Sequence, residues 1–189
     1  GAERAQVTLA KYGAHKVYVV DNADAAAYLV APQAEILAAL VEKVSPAAVL
    51  IPSNAAGKEI AARLAIKTGS GVITDAVDVR AGDSGIETTQ SVFAGSYTVT
   101  STVTTGTPII AVKPNSIALE ASPAAGAVEA FEVTVSDAAK TAKVTDTKPR
   151  QATGRPELTD AALGVAGGRG TGGAFLPVEE FSASLGTAV

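Results

Sequence analysis

Apolar positions along this chain fall into two regimes. In the first, compact apolar runs alternate with stretches of helical spacing. Val17–Val20 is a buried-type strand that stops at Asp21-Asn22. From Pro32 to Val44, apolar residues recur at Ile36, Leu37, Leu40, Val41 and Val44, the spacing of one helix face with proline at its start. Ala48–Ile51 predicts a second buried strand, and Pro52–Gly57 a loop. A helix is expected over Lys58–Lys67, carrying Ile60, Leu64 and Ile66 and closed by Gly69 and Gly71. Strand, helix, strand, helix at this spacing predicts parallel strands joined by right-handed crossovers.

The second regime begins after Gly71. Val72–Arg80, Ile86–Gln90, Phe93–Thr105 and Pro108–Val112 are rich in Val, Ile and Thr and predict successive strands. Val128–Val135 alternates, with Val128, Ala130, Glu132 and Thr134 on one face and Glu129, Phe131, Val133 and Val135 on the other. Ser136–Arg155 is polar and ends the first domain, with the boundary at 150–157. The expected architecture is α/β: a nucleotide-domain-like parallel sheet with added antiparallel strands over residues 1–153, then the start of a second α/β domain over 154–189.

Composition narrows the chemistry. The 189 residues are 47% hydrophobic but only 4% aromatic, with no Cys, Met or Trp. The core is therefore built from Ala, Val, Ile and Leu, as in layered α/β folds. A net charge of −4 argues against a nucleic-acid footprint, which clusters Lys and Arg. Lack of cysteine removes disulfides, thiol catalysis and cysteine metal sites. No stretch reaches the roughly 18 apolar residues of a membrane helix. The first residues, Gly-Ala-Glu-Arg-Ala-Gln, carry neither an initiator Met nor an apolar signal core, which points to a processed chain or an interior piece.

The most informative motif is Leu163-Gly-Val-Ala-Gly-Gly-Arg-Gly170. An apolar run breaks into glycines around one arginine, and Pro177–Leu185 then predicts a helix. A strand, a tight turn and a helix N-terminus present N–H groups and partial positive charge to an anion. Arg169 adds a cation that can fork onto phosphate or stack on a ring. Such a site cannot be completed by residue 189, so the domain is expected to be partial. Gly168, Gly170 and Gly173 also match a dinucleotide fingerprint, but the acidic residue due about 20 positions on is not found. No Lys-Ser/Thr follows, which rejects a P-loop.

Gly154-Arg-Pro-Glu-Leu through Gly167-Gly-Arg-Gly170 resembles the start of the flavin domain in the α subunit of electron transfer flavoprotein. Gly57-Lys-Glu-Ile-Ala-Ala-Arg-Leu-Ala65 and Gly71-Val-Ile-Thr-Asp-Ala-Val-Asp-Val79 resemble earlier blocks of that subunit, in its order. The resemblance implies a Rossmann-like, adenine-nucleotide-hydrolase-like first domain followed by the opening of an FAD-binding domain. It implies a heterodimer with a β subunit, itself able to hold AMP. It further implies an electron carrier rather than an enzyme, without catalytic residues or metal. Such a carrier takes electrons from acyl-CoA and other dehydrogenases, as in fatty acid β-oxidation, and passes them to a quinone reductase or another acceptor. Arg169, flanked by Gly168 and Gly170, takes the role of the family's flavin-contacting arginine, and the remaining contacts lie beyond this chain. The compartment implied is the cytoplasm in a bacterium or the mitochondrial matrix in a eukaryote. Two departures stand out. The usual first strand and helix are expected to be missing before Gly1, and Gly170–Phe175 is richer in glycine than the family.

Other residues carry a functional and a plainer reading. Arg169 could be a solvated loop residue. Pro52–Gly57 lies where open α/β sheets bind ligands, so an adenine-nucleotide module without redox role is the alternative function. Its plainer reading is a helix cap from Ser53 or Asn54. His15 reads as a surface residue. Glu59 and Arg63 predict an i,i+4 ion pair. Asp75 and Asp78, three apart on a strand, point to opposite faces and read as structural. Arg155 and Glu157 either fix domain orientation or solvate a linker.

Overall fold

The computed structural model describes residues 2–83, 85–149 and 154–189, with side chains from Arg4 onward. The chain forms two compact units, Gly1–Thr145 and Asp146–Val189. The expected boundary at 153/154 adjoins residues 150–153, which lie outside the described residues.

Unit 1 opens with α1 (Ala2–Lys11), β1 (Lys16–Val19), α2 (Ala23–Ala27) and α3 (Ala31–Val44). It continues with β2 (Val49–Pro52), α4 (Ala55–Thr68), β3 (Val72–Gly82), β4 (Gly85–Val92) and β5 (Tyr97–Thr102). β6 (Ile109–Val112), β7 (Ala127–Ala130) and a 3₁₀ turn at Asp137–Ala139 complete it. The main sheet runs β2-β6-β3-β4-β5. β2, β6 and β3 are parallel, whereas β4 and β5 add on antiparallel. β1 and β7 form a separate parallel pair. The fold is thus α/β with a parallel core and an antiparallel edge, as the hydrophobic pattern implied.

α4 shows why sequence dictates this packing. Gly57, Ile60, Ala61, Leu64 and Ala65 are buried, at the 3–4 spacing of one helix stripe. They meet Ile51, Ile109 and Ala111 of the sheet, with Val30 and Ala34 completing the cluster. Gly69 ends the helix at φ +61, its N–H bonding back to Ala65 and Ile66. Ile66 corrects the expectation for this helix: it is 84% exposed. Two residues past Leu64 it has turned about 200° around the axis.

Three further expectations change. Phe93–Thr105 is not one strand, because Phe93, Ala94 and Gly95 take positive φ (50, 53 and 86) and turn the chain between β4 and β5. β7 stops at Ala130, although Val128–Val135 alternates throughout. Past Phe131, whose N–H reaches Val19 O, the chain is held by side chains: Asn22 Nδ2 donates to Val133 O at 3.1 Å, and Ser136 donates to both Glu35 carboxylate oxygens. Val135 and Ala139 then bury against Ile36, so the alternation reports burial rather than sheet. The polar Ser136–Arg155 stretch accordingly begins inside the packed unit.

Unit 2 contains a 3₁₀ turn at Arg169–Thr171 and α5 (Leu176–Leu185). Gly164 and Ala188 form a parallel bridge, which gives the unit a strand–helix–strand order. Among the described residues, no helix is long and apolar enough to cross a membrane.

Candidate functional site

In unit 2 the glycine turn follows directly on the extended segment. Val165 N–H bonds Ala188 O at 2.9 Å, and Ala188 N–H bonds Leu163 O at 3.3 Å. The chain then turns. Thr171 gives both its N–H and its hydroxyl to Gly168 O, at 3.1 and 3.0 Å, and Gly172 N–H bonds Arg169 O. Gly172 and Gly173 continue at φ +58 and +90, conformations suited to glycine. α5 begins at Leu176 with Pro177 in its first turn and without a side-chain cap. Its far end closes at Gly186, after which the buried Ser182 hydroxyl bonds Thr187 O at 2.8 Å.

The glycines of the turn are not equivalent. A β-carbon on Gly167 would lie 2.8 Å from the Phe175 ring, which would have to shift to admit it. Gly168 and Gly170 have negative φ and nothing within 4 Å of an added β-carbon. Neither packing nor backbone conformation within this chain requires glycine at those two positions. Arg169 between them is exposed, and among the described residues it has no ion pair. The structure thus brings Gly168, Arg169 and Gly170 together on one open turn. An approaching anion or ring would find bare backbone and a guanidinium there.

Unit 1 offers a second polar constellation, at the C-terminal ends of its parallel strands. Asn54 caps α4, its side-chain oxygen accepting from Gly57 N–H at 2.8 Å. That is the plainer reading of Pro52–Gly57, with Asn54 rather than Ser53 as the cap. Ser53 instead donates to Asp75 Oδ1 at 2.9 Å and accepts from the Asp75 N–H at 3.1 Å. Lys58 donates to Asp75 Oδ2 at 2.9 Å. This Lys58 hydrogen bond, above all, holds the Asp75 carboxyl below its ordinary range. Asp75 reaches these partners through an irregularity in β3, where it sits at φ +58 and the register with β6 shifts between Ile73 and Ala76. Asp78 stays on the ladder opposite Thr89. The Ser53–Asp75 link was missing from the sequence reading, because no residue type marks that bulge. The Glu59–Arg63 ion pair forms as expected, at 2.8 Å.

A model of the electron transfer flavoprotein domain matches residues 1–138. The chain belongs to this family. It is 45% identical over 180 residues to the electron transfer flavoprotein subunit alpha of Mycobacterium leprae, covering 94% of this chain and 55% of the relative. The subunit alpha of Mycobacterium tuberculosis is 47% identical over the same coverage. That of Syntrophomonas wolfei is 33% identical across all of this chain and 60% of its own length. The chain therefore spans about half the length of the curated relatives it matches. Its electron transfer flavoprotein domain takes in the Ser53–Asp75 constellation, whereas Gly168, Arg169 and Gly170 lie beyond the residues matched to it.

Proposed function

We propose that this chain is the scaffold domain and the opening of the flavin domain of an electron transfer flavoprotein α subunit. The whole protein pairs with a β subunit able to hold AMP and carries electrons. The donors are acyl-CoA and other dehydrogenases, and the acceptor is a quinone reductase or an equivalent. The observation that carries this reading is the 45% identity to a subunit alpha across 94% of the chain. Residues 1–153 form the scaffold and 154–189 the start of the flavin domain. The compartment is the cytoplasm, given that the relatives are bacterial.

FAD supplies the redox chemistry when bound, and this chain contributes Gly168, Arg169 and Gly170. The two glycines, free of packing demands, leave the backbone open to close approach. Arg169 keeps its charge at any working pH, and a fixed cation favours added negative charge on a neighbouring cofactor, raising its potential. No bond-making step is assigned to residues of this chain. The test is the full-length polypeptide produced with its β subunit. A flavin absorption band in the purified complex is expected, and a colourless complex overturns the reading.

A further inference from the structure

The Arg169–Thr171 turn has two unlike edges. On the carbonyl edge, Gly168 O accepts from the Thr171 N–H at 3.1 Å and again from the Thr171 hydroxyl at 3.0 Å. Arg169 O accepts from the Gly172 N–H at 3.2 Å. On the amide edge, the N–H groups of Gly168, Arg169 and Gly170 have no acceptor among the described residues. Those three residues are exposed, whereas Thr171 is half-buried. The Thr171 methyl lies 3.2 Å from where a Gly167 β-carbon would stand, on ground it shares with the Phe175 ring. Thr171 therefore grips the turn twice, with its methyl against Gly167 and its hydroxyl on Gly168 O.

Successive free N–H groups beside a guanidinium attract oxygen acceptors, and a bare carbonyl oxygen at the same place repels them. A carbonyl oxygen has two lone pairs, so one hydrogen bond leaves it half engaged. The Thr171 N–H satisfies one pair of Gly168 O, and the hydroxyl takes the other. A flavin dinucleotide offers ring carbonyls and phosphate oxygens, all of them acceptors. Valine at position 171 would keep the side-chain shape and the main-chain N–H and would lose only the hydroxyl. Serine would keep the hydroxyl and lose the methyl. The two substitutions therefore separate the hold on Gly168 O from the packing on Gly167.

We propose that Thr171 is a positioning residue for the cofactor. Its hydroxyl holds the Gly168 carbonyl within the turn, so that acceptor oxygens of the flavin meet Arg169 and the N–H groups of Gly168, Arg169 and Gly170 instead. This rests on the flavin reading above. The test uses the full-length polypeptide with its β subunit, stripped of flavin and titrated with FAD. Thr171→Val should weaken FAD binding about fivefold, the worth of one hydrogen bond, and Thr171→Ser should stay within about twofold of wild type. The flavin-free complexes should melt together, because the hydroxyl's bond lies at the surface. A Thr171→Val complex that binds FAD as tightly as wild type overturns the inference. So does Thr171→Ser binding as weakly as Thr171→Val, which would assign the effect to the methyl on Gly167. An earlier melt of the flavin-free Thr171→Val complex overturns it too, by making the role one of folding. A wild-type complex that takes up no FAD overturns the flavin reading itself, and the inference with it.

Discussion

Lys43, in the last turn of α3, gives its ammonium to Glu129 on β7 and lies 5.2 Å from the centre of the neighbouring Phe131 ring. Glu129 takes a second ammonium from Lys16, the first residue of β1, at 2.8 Å. Hydrogen bonds from Lys16 and then Lys43 pull the Glu129 carboxyl down to about 2. A carboxylate held low in the folded state contributes stability above its unfolded value, and that contribution fades as pH falls through the folded one. Glu129→Gln should therefore melt below wild type at pH 7. The gap should close as pH drops from about 4.5 toward 2. Added salt should narrow it, because these side chains are solvent-accessible. Melting curves against pH and ionic strength check both points.

Asp75→Ala should destabilise unit 1 by about 1–2 kcal/mol, since it strands the Ser53 and Lys58 donors and leaves alanine at positive φ. Asp75→Asn keeps a side chain suited to that backbone and an acceptor for Ser53. Its cost should be about 0.5 kcal/mol, as the lost ion pair is half exposed. Urea titrations of the two variants separate geometry from charge.

Gly57→Ala would put a β-carbon 1.8 Å from the Pro52 carbonyl oxygen, a backbone atom unable to swing away. The loop must move, at about 2–3 kcal/mol or more. Gly69→Ala meets open space but keeps φ +61, so its cost should be about 1 kcal/mol. Chemical denaturation should rank Gly57→Ala well below Gly69→Ala.

Gly168→Ala should be silent in folding, within about 0.5 kcal/mol, because nothing surrounds the added methyl. In the intact flavoprotein complex it should nevertheless lower flavin content. Arg169→Ala should lower flavin retention or the potential, with Arg169→Lys restoring part of the effect through charge alone. Flavin stoichiometry and redox titration are the measurements. Unchanged values in all three variants remove the turn from the site.

Much of the fold could be read from periodicity. α3, β2 and α4 emerge from their apolar spacing, helped by Pro32 at the start of α3 and Gly69 at the end of α4. What escaped the reading shares one physical origin, local backbone conformations without a residue signature. Phe93 and Ala94 occupy a region where glycine or asparagine is expected, so their turn was hidden inside an apolar run. Asp75 sits in a β-irregularity that breaks the two-residue period used to place it. α1 and α2 were missed as well, the latter a five-residue run set by the Asn22 side chain, which also holds Val133. For the candidate site, the Gly168–Gly170 turn was legible in its glycines. Which of them answer to packing was not, because that depends on Phe175 arriving from beyond the turn.

The Ser53–Asp75–Lys58 arrangement bears on what this end of the sheet can accept. A phosphate drawn to the start of α4 would seek a hydroxyl, an ammonium and the first free N–H groups of the helix. Here the hydroxyl and the ammonium already hold the protein's own carboxylate, and the Asn54 amide oxygen takes the Gly57 N–H. An incoming nucleotide would have to evict a resident anion before gaining the Ser53 hydroxyl or the Lys58 ammonium. Unit 1 is thus electrostatically self-satisfied at the very position where open α/β sheets receive their ligands.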